Sequence, residues 1–385
     1  MATSETEPLS KIGLQETNIF SLMNALASKY GALNLAQGFP NFDCSNHLKE
    51  LVTKSMQAGN NQYPPMQGIL ELREAISEQF KITHNINVDP DTQITITPGG
   101  HSALMSAASS VLNPGDEVII FEPAFDCFSP IVKLNGSIPV FIRLEPPEFK
   151  INWEKVKSKI SAKTKLIIIN TPHNPSGTIL EEEDLNSLAE LIRDTQILVL
   201  SDEVYQHIIF DNKKHQSVIS HPELADRSFA VFSFGKTYHV TGWKIAYCVA
   251  PNDLMQNFRS VHQMITFCVN RPMQHAIAEF LKDKSHYLEL ANFYQAKRDL
   301  FLSMIKSSNF DFVPAKGTYF QTLSYEKISD KGDMQMCEWL AKEFKIALIP
   351  MSAFYHDKKE FNLLRVCFAK TNETLEQAAE ILCKI

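Results

Sequence analysis

The apolar residues between residues 46 and 275 are distributed as in a sheet that is buried on both faces. Five short segments there are almost entirely apolar and are bounded by Pro, Gly, Asn or Asp: EVIIFEP, IPVFIRL, KLIIINTP, QILVLSDE and FAVFSFG. Runs without alternation between apolar and polar positions are typical of parallel strands that helices cover on both sides. A further strand, QITIT, precedes a Gly-Gly turn and a helix rich in Ala and Ser. We therefore expect an α/β domain with a mostly parallel sheet.

Helical spacing of apolar residues is found outside these strands. Residues 16–30 and 70–80 have the period of amphipathic helices, and Gly31 is placed to end the first. In the last hundred residues the pattern changes to a helical stretch at about 272–307, a hairpin-like pair in FDFVPAKGTYFQTL, a helix at about 333–345, a strand in NLLRVCFAK and a final helix. This mixture predicts a second, smaller α+β domain.

The predicted domain organisation has three parts. Residues 1–30 form an N-terminal arm and helix, in which residues 1–14 are polar and loosely ordered. Residues 46–284 form the large domain, and residues 31–45 together with 285–385 form the small α+β domain. A chain of 385 residues is long enough for two such cores.

The composition is that of an ordinary globular protein, with 44% hydrophobic and 21% charged residues. The net charge of -7 gives no support for nucleic acid or an anionic membrane as a partner. Seven scattered cysteines without a C-x-x-C pair indicate free thiols in a reducing compartment. The first residues lack the features of a signal peptide, and no apolar run has the length of a membrane span. We expect a soluble, cytoplasmic protein.

Residues able to do chemistry follow several of the predicted strands. Asn174 comes after KLIIIN, Asp202 and Tyr205 come after QILVL, and Lys236 comes after FAVFSF. A glycine pair opens the helix after QITIT, where backbone N–H groups can bind an anion such as phosphate. Each of these residues alone also has a structural explanation, as a cap, a turn, a core residue or a solvated charge.

The same residues acquire a common explanation when they are considered together. Ligands of open parallel sheets bind at the carboxyl ends of the strands, so these side chains are expected at one site. They supply an amine, a carboxylate, a phenol, an amide and an anion site. Pyridoxal phosphate has an aldehyde, a ring nitrogen, a phenolic oxygen and a phosphate to match them. The sequence therefore predicts a site for this cofactor.

Six motifs in this order resemble the class I/II pyridoxal-phosphate aminotransferases of fold type I: YPPMQGILELREAI, TPGGHSAL, NTPHNPSG, SDEVY, SFGKTYHVTGWK and NLLRVCFA. The resemblance extends from about residue 30 to the C-terminus. Within the family the chain is similar to the branch of methionine and kynurenine/glutamine aminotransferases. The resemblance implies a large domain with a mostly parallel seven-stranded sheet covered by helices, plus a smaller α+β domain.

The resemblance also implies a role for each matching residue. Lys236, Asp202 and Tyr205 would be catalytic: the lysine holds the cofactor covalently and moves the substrate proton, and the carboxylate pairs with the ring nitrogen. The residues implied to bind the cofactor are Tyr63 (from the other subunit of a homodimer), Gly100, His101, Ser102, Phe125, Asn174, Asp202, Tyr205, Ser233, Lys236 and Lys244. Those implied to bind the substrate are Gly38, Phe39, Asn174 and Arg365, of which the arginine grips the carboxylate.

The implied reaction is ping-pong transfer of an amino group from an amino acid to a 2-oxo acid, without a metal. No second arginine is identifiable for a dicarboxylate, and five aromatic residues suggest an apolar pocket: Phe39, Tyr63, His101, Phe125 and Tyr238. This favours methionine, aromatic amino acids, histidine or glutamine as donors, although ordinary core positions explain Phe39, His101 and Tyr238 equally well. The alternative is a kynurenine/glutamine aminotransferase with β-lyase activity on cysteine S-conjugates.

Two positions depart from the family pattern. His101 stands where many relatives have tyrosine or threonine, so its contact with the cofactor is less firmly implied. Arg271 stands where relatives tend to have a small polar residue, and both the mouth of the active site and the protein surface remain open as its location.

Overall fold

The structure is a computed structural model that describes residues 18–385. The predicted loosely ordered arm at residues 1–14 lies outside the described residues. The first predicted helix is present as α1 (Ile19–Tyr30). Asn18 caps it, because its side-chain oxygen accepts a hydrogen bond of 2.8 Å from the Phe20 N–H. Gly31 ends it in the left-handed conformation, with φ of 59°, as the sequence predicts.

The strands of the described residues form one large sheet and two small ones. In chain order they are β1 (Leu33–Asn34), β2 (Ile94–Thr97), β3 (Glu117–Glu122), β4 (Ile138–Arg143), β5 (Thr164–Asn170), β6 (Leu198–Asp202), β7 (Ser228–Ser233), β8 (Ala246–Val249), β9 (Phe320–Ser324), β10 (Ile346–Ala347), β11 (Ile349–Pro350) and β12 (Leu363–Cys367). The large sheet has seven strands in the order β2-β8-β7-β6-β5-β3-β4. Strand β8 runs antiparallel to both of its neighbours, β2 and β7, and the other neighbouring strands are parallel. The predicted α/β architecture is confirmed.

Helices pack around these sheets. After α1 they are α2 (Asn46–Gln57), α3 (Leu70–His84), α4 (Gly100–Ser109), α5 (Phe128–Leu134), α6 (Trp153–Lys159), α7 (Glu182–Ile192), α8 (Phe234–Thr237), α9 (Asn252–Ile265), α10 (Arg271–Phe280), α11 (Ser285–Leu288), α12 (Leu290–Ile305), α13 (Asp333–Trp339) and α14 (Asn372–Leu382). No helix within residues 18–385 is both long enough and apolar enough to cross a membrane.

The large sheet is buried on both faces, as its apolar runs predict. Alternate residues of β5 belong to different hydrophobic clusters, since Ile167 and Ile169 pack into one and Leu166 and Ile168 into the other. Successive side chains of a strand point to opposite faces, so each face of the sheet has its own core. The second core lies under α4 and α9, which cover that face.

The C-terminal region differs from the sequence prediction in two places. The helical stretch at 272–307 is divided into α10, α11 and α12, and at the first of the two breaks Asp283 accepts hydrogen bonds from the backbone and hydroxyl of Ser285, in competition with a continuous helix. The predicted hairpin is reduced to β9 and a single bridge between Asp311 and Ser324. The side chain of Gln321 donates to the Val313 carbonyl and accepts from the Ala315 N–H, so it replaces the missing ladder.

The two small sheets join distant parts of the chain. Strand β1 pairs in parallel with β10, and β12 lies between β11 and β9 in an antiparallel sheet. Residues 33–34 therefore lie beside residues 346–347, as a small domain assembled from both ends of the chain requires. The domain boundaries themselves stay predictions.

Candidate active site

A cavity of about 350 Å³ lies at the carboxyl ends of β5, β6 and β7. This volume falls within the range of small-molecule sites. The predicted site residues that line it are Gly38, Phe39, Gly100, His101, Phe125, Asn174, Asp202, Tyr205, Ser233, Lys236, Lys244 and Arg365. A larger cavity of about 690 Å³ beside residues 146–151 and 312–316 contains none of these side chains. The smaller cavity is therefore the candidate active site.

Asn174 and Asp202 are positioned by neighbouring strands of the sheet. Asn170, the last residue of β5, lies opposite Asp202, the last residue of β6. The Asn170 amide donates to the Asp202 carbonyl at 2.8 Å, and its side-chain oxygen accepts from the Asn174 N–H at 2.8 Å. One buried asparagine thus fixes the backbone at both Asn174 and Asp202.

The Asp202 carboxyl group is buried and has few hydrogen-bond donors around it to offset the loss of water. The residue is 4% exposed, and the backbone N–H of Val204 donates to its Oδ1 at 3.3 Å. Burial raises the pKa of Asp202 to about 7, an effect that the Val204 N–H and the Lys236 charge only partly offset. A cationic N–H group in the cavity, such as a protonated ring nitrogen, would stabilise the ionised carboxylate.

The Lys236 amine points toward the same space. Its Nζ donates to the Tyr319 hydroxyl at 3.0 Å and to the Gly38 carbonyl at 3.4 Å, and it lies 5.4 Å from the centre of the Tyr205 ring. Burial lowers the pKa of Lys236 to about 8; the nearby Arg365 charge adds to this shift and the Asp202 carboxylate opposes it. A large fraction of the amine is consequently neutral and nucleophilic near pH 8.

An anion site lies at the start of α4. Gly99 has φ of +89°, and a Cβ on this residue would lie 2.8 Å from both Cε and Nζ of Lys244. Glycine is needed here for its backbone conformation and for the close approach of the lysine. The N–H groups at the N-terminus of α4, the Lys244 ammonium and the nearby Ser233 hydroxyl can together hold a phosphate group.

The Arg365 guanidinium is buried on the other side of the cavity, and one of its nitrogens has no hydrogen-bond partner. It is 1% exposed and lies 3.9 Å from the centre of the Phe320 ring. Its Nη1 donates to Asn174 Oδ1 at 2.7 Å and its Nη2 to the Ala36 carbonyl at 3.2 Å, whereas its Nε has no partner. Burial lowers the pKa of Arg365 to about 10, so the group stays cationic at neutral pH. The free donor and uncompensated charge suit a carboxylate ligand.

Other candidate residues lie outside the lining of the cavity. The Ser102 hydroxyl is 3.3 Å from Thr266 Oγ1, and Tyr63 is 79% exposed with its ring against Phe267. Arg271 begins α10, where its Nε contacts His275. The roles of Ser102 and Tyr63 stay predictions. The aromatic residue Tyr238 is part of the hydrophobic core, packed on Phe234 and Phe280, and does not line the cavity.

The structure adds residues that the sequence motifs did not reveal. Tyr319 contacts Lys236, and Phe320 lies against Arg365, although the sequence GTYF predicts only part of a hairpin. Phe20 and Asp126 also line the cavity. Asp126 directly follows Phe125 in EPAFDCF, so a charged residue beside a predicted ring contact was the available signal.

The arrangement fits pyridoxal phosphate. Its groups would be met by the Lys236 amine at the aldehyde, the buried Asp202 carboxylate at the ring nitrogen, and the glycine-lysine site at the phosphate. The unused Arg365 donor would remain for a substrate carboxylate. No cluster of His, Cys, Asp and Glu suited to a metal ion is found in the described part of the chain.

Comparisons with known proteins agree with this site. Residues 30–382 match the sequence model of the family "Aminotransferase class I and II". The chain is 43% identical to the methionine aminotransferase of Escherichia coli strain K12 over 99% of both chains. It is 34% identical to a kynurenine–oxoglutarate transaminase of Dictyostelium discoideum, over 94% of this chain and 92% of that protein.

A solved structure gives the same result. The crystal structure of Escherichia coli YbdL, a protein identified with a methionine aminotransferase function, superposes with a TM-score of 0.97 at 43% identity, covering 98% of this chain and 99% of that one. Family membership and fold are thus supported along nearly the whole chain. The chain belongs to the class I and II aminotransferases, enzymes of fold type I that depend on pyridoxal phosphate.

Proposed function

We propose that this aminotransferase moves the amino group of methionine, and also of aromatic amino acids, histidine and glutamine, to a 2-oxo acid by a ping-pong mechanism. One observation carries the proposal. The lysine and arginine residues lining the cavity are Lys236, Lys244 and Arg365, and each is matched to one group: the aldehyde, the phosphate and the substrate α-carboxylate. None remains for a second carboxylate on the substrate.

The rest of the lining suits an apolar side chain. Phe20, Phe39, Phe125 and Phe320 line the cavity together with the imidazole of His101. Asp126 also lines the cavity, and its carboxyl group, when ionised, would repel the second carboxylate of a dicarboxylate substrate. The transfer of a methionine or aromatic side chain from water to such a surface lowers the free energy of binding, and the transfer of an acidic side chain does not.

The chain's own residues perform binding and proton transfer. Bound pyridoxal phosphate supplies an electrophilic carbon for the amino group and an electron-withdrawing ring that acidifies the substrate Cα–H. Arg365 and Asn174 orient the substrate carboxylate, which fixes the Cα–H relative to the lysine. Lys236, once free, would take the Cα proton and deliver it to the cofactor carbon that carried the aldehyde. Tyr319 and the Gly38 carbonyl hold its amine in reach. Asp202 keeps the ring nitrogen protonated.

A panel of amino donors tests the substrate proposal. We expect kcat/KM for methionine and phenylalanine to exceed the values for aspartate and glutamate by at least about tenfold, because a buried unpaired carboxylate is costly. Kynurenine belongs in the panel because a relative acts on it. Release of pyruvate from a cysteine S-conjugate, measured in parallel, reports β-lyase activity. Preference for aspartate or glutamate would contradict the proposal.

We also propose a homodimer with shared active sites. Tyr63 is 79% exposed and its ring packs edge-on against Phe267, which is itself 46% exposed, so this aromatic pair faces outward. A second copy covering this surface would bring Tyr63 to the phosphate of the other subunit. The seven free cysteines favour the cytoplasm as the compartment.

Hybrid dimers test the shared site. Lys236→Ala and Tyr63→Ala subunits, each with low activity alone, should regain activity when they are co-expressed, because one of the two sites then has both intact residues. A co-expressed mixture that stays inactive, or an active monomer, would contradict the assignment of Tyr63.

A further inference from the structure

Residues 36–39, here named the cover loop, are held over the active site by side chains. Each of the four carbonyls accepts a hydrogen bond: Ala36 from Arg365 Nη2 at 3.2 Å, Gln37 from Lys370 Nζ at 3.2 Å, Gly38 from the Tyr319 hydroxyl at 2.8 Å, and Phe39 from Lys370 Nζ at 2.8 Å. Buried carbonyls need such partners when no strand supplies them. The position of the loop therefore depends on a few side chains.

Lys370 has two of these four contacts and is itself buried. The residue is 2% exposed, which is rare for lysine. Its hydrogen bonds go to the two loop carbonyls and not to a carboxylate. Its own backbone is anchored, because its carbonyl accepts a hydrogen bond of 2.9 Å from Lys297 Nζ. Charge-assisted hydrogen bonds are stronger than neutral ones, so Lys370 is the main contact that holds Gln37 and Phe39 of the cover loop in place.

One of the two residues that Lys370 holds, Phe39, lies at the active-site cavity. Phe39 lines the active-site cavity, and its side chain remains 46% exposed. The Lys370 Nζ lies 5.6 Å from the centre of the Phe39 ring as well as 2.8 Å from its carbonyl. Lys370 does not line the cavity itself, so it reaches a substrate only through the loop. Fixing the Phe39 backbone fixes where the ring closes the cavity.

We propose that Lys370 is a positioning residue that holds Phe39 against the side chain of the substrate and thereby sets the preference for long apolar amino acids. The inference rests on the proposed function, since it concerns the side-chain pocket of that site. A residue that only stabilises the fold would affect all substrates alike, whereas a residue that positions Phe39 affects substrates according to their side chain.

Lys370→Met is the informative variant, because it keeps the length of the side chain and removes the donors. We expect the ratio of kcat/KM for methionine to that for alanine to fall about tenfold or more, because the loss of apolar contacts in a pocket typically lowers kcat/KM by at least that factor. The alanine value and the visible absorption of the bound cofactor should change little. Lys370→Arg retains the donors and should restore most of the ratio. If Lys370→Met does not fold, Lys370→Leu, which also lacks a donor, replaces it in the same measurement.

A double-mutant cycle gives the second readout. Phe39→Ala should lower the methionine-to-alanine ratio by itself, and Lys370→Met should add little to it, because both changes remove the same contact. Equal losses for methionine and alanine in Lys370→Met, or additive effects in the double variant, would overturn the inference. A wild-type enzyme that does not prefer methionine to alanine would instead overturn the proposed function, before any variant is made.

Discussion

The two sides of the active-site cavity are built in different ways. On the cofactor side, Asn174, Asp202 and Ser233 lie at or just after the ends of adjacent strands, and the backbone ladder of the large sheet sets their spacing. On the substrate side, the cover loop meets Arg365 and Lys370 through hydrogen bonds from side chains to carbonyls. One side is fixed by main chain, the other by single side chains.

This difference separates chemistry from specificity. A strand ladder holds its ends whether or not a ligand is bound, so the cofactor side is preorganised. The side-chain contacts of the substrate side can exchange partners, since a substrate carboxylate competes with Asn174 and Ala36 for Arg365. Substitutions on the cofactor side should therefore abolish turnover of every substrate, and those on the substrate side should change KM and selectivity.

The largest effect is expected for Lys236→Ala. The variant should lose the visible absorption band of covalently held cofactor and at least about 10³-fold in kcat, because it removes both the attachment point and the proton carrier. Absorption spectra and single-turnover assays measure this. Lys306→Ala, at an exposed lysine after α12, is the matched control and should retain both. A variant with the normal band would show that another amine holds the cofactor.

Asp202→Asn should lower kcat by about 10²- to 10³-fold while cofactor still attaches to Lys236, because the removal of one preorganised charge costs that much. It should act on methionine and phenylalanine equally. A loss confined to one substrate would break the separation of the two sides.

The same variant tests the titration of Asp202 in the cofactor-free protein. The folded pKa of about 7 lies above the ordinary aspartate pKa of 3.8, so the folded state holds the proton more tightly. Its contribution to stability is complete below about pH 4 and is lost as the pH rises through 7, by an amount on the order of a few kcal/mol. Denaturant unfolding at pH 5 and pH 8 should show this loss in wild type and a smaller one in Asp202→Asn. An identical pH dependence in both proteins would refute the assignment.

Arg365→Lys should raise KM for methionine about 10- to 100-fold and leave the cofactor band unchanged, because lysine cannot replace the forked contact with a carboxylate. Steady-state kinetics with methionine and the 2-oxo acid measure the change. Arg193→Lys, at an exposed ion pair with Glu223, makes the same replacement away from the cavity and should have wild-type kinetics. Loss of the cofactor band in Arg365→Lys would show that the two sides are not independent.

The smallest effect concerns the rate at which cofactor attaches. Only the neutral amine attacks an aldehyde, and the pKa of Lys236 is lowered to about 8. The rate of attachment should rise about tenfold per pH unit below pH 8 and level off above it. For an ordinary lysine the rate would continue to rise up to about pH 10.4. Stopped-flow absorbance of the apoprotein mixed with pyridoxal phosphate records the profile. A rise that continues beyond pH 9 would place the amine in a wetter environment.

The cofactor side could be predicted because its signals are local. Each of its residues lies within a few positions of the end of an apolar run such as KLIIIN or QILVL, and parallel strands bring such positions to one edge of a sheet. The prediction was wrong where side chains override the local pattern, as at Asp283, which interrupts the helical stretch, and at Gln321, which replaces part of a hairpin. These interactions have no periodicity to detect.

The sequence by itself determined the α/β sheet and the group of residues suited to the cofactor, because burial on both faces and strand-end chemistry are expressed in neighbouring residues. Only the tertiary structure decided the substrate side. Tyr319 is 281 residues from the Gly38 carbonyl that it contacts, and Arg365 is 329 residues from that of Ala36. The spacing of residues along the chain does not predict these contacts, because they form only when β9, β12 and the cover loop pack around one cavity. Lys370 belongs to the same assembly, and its role becomes visible only there.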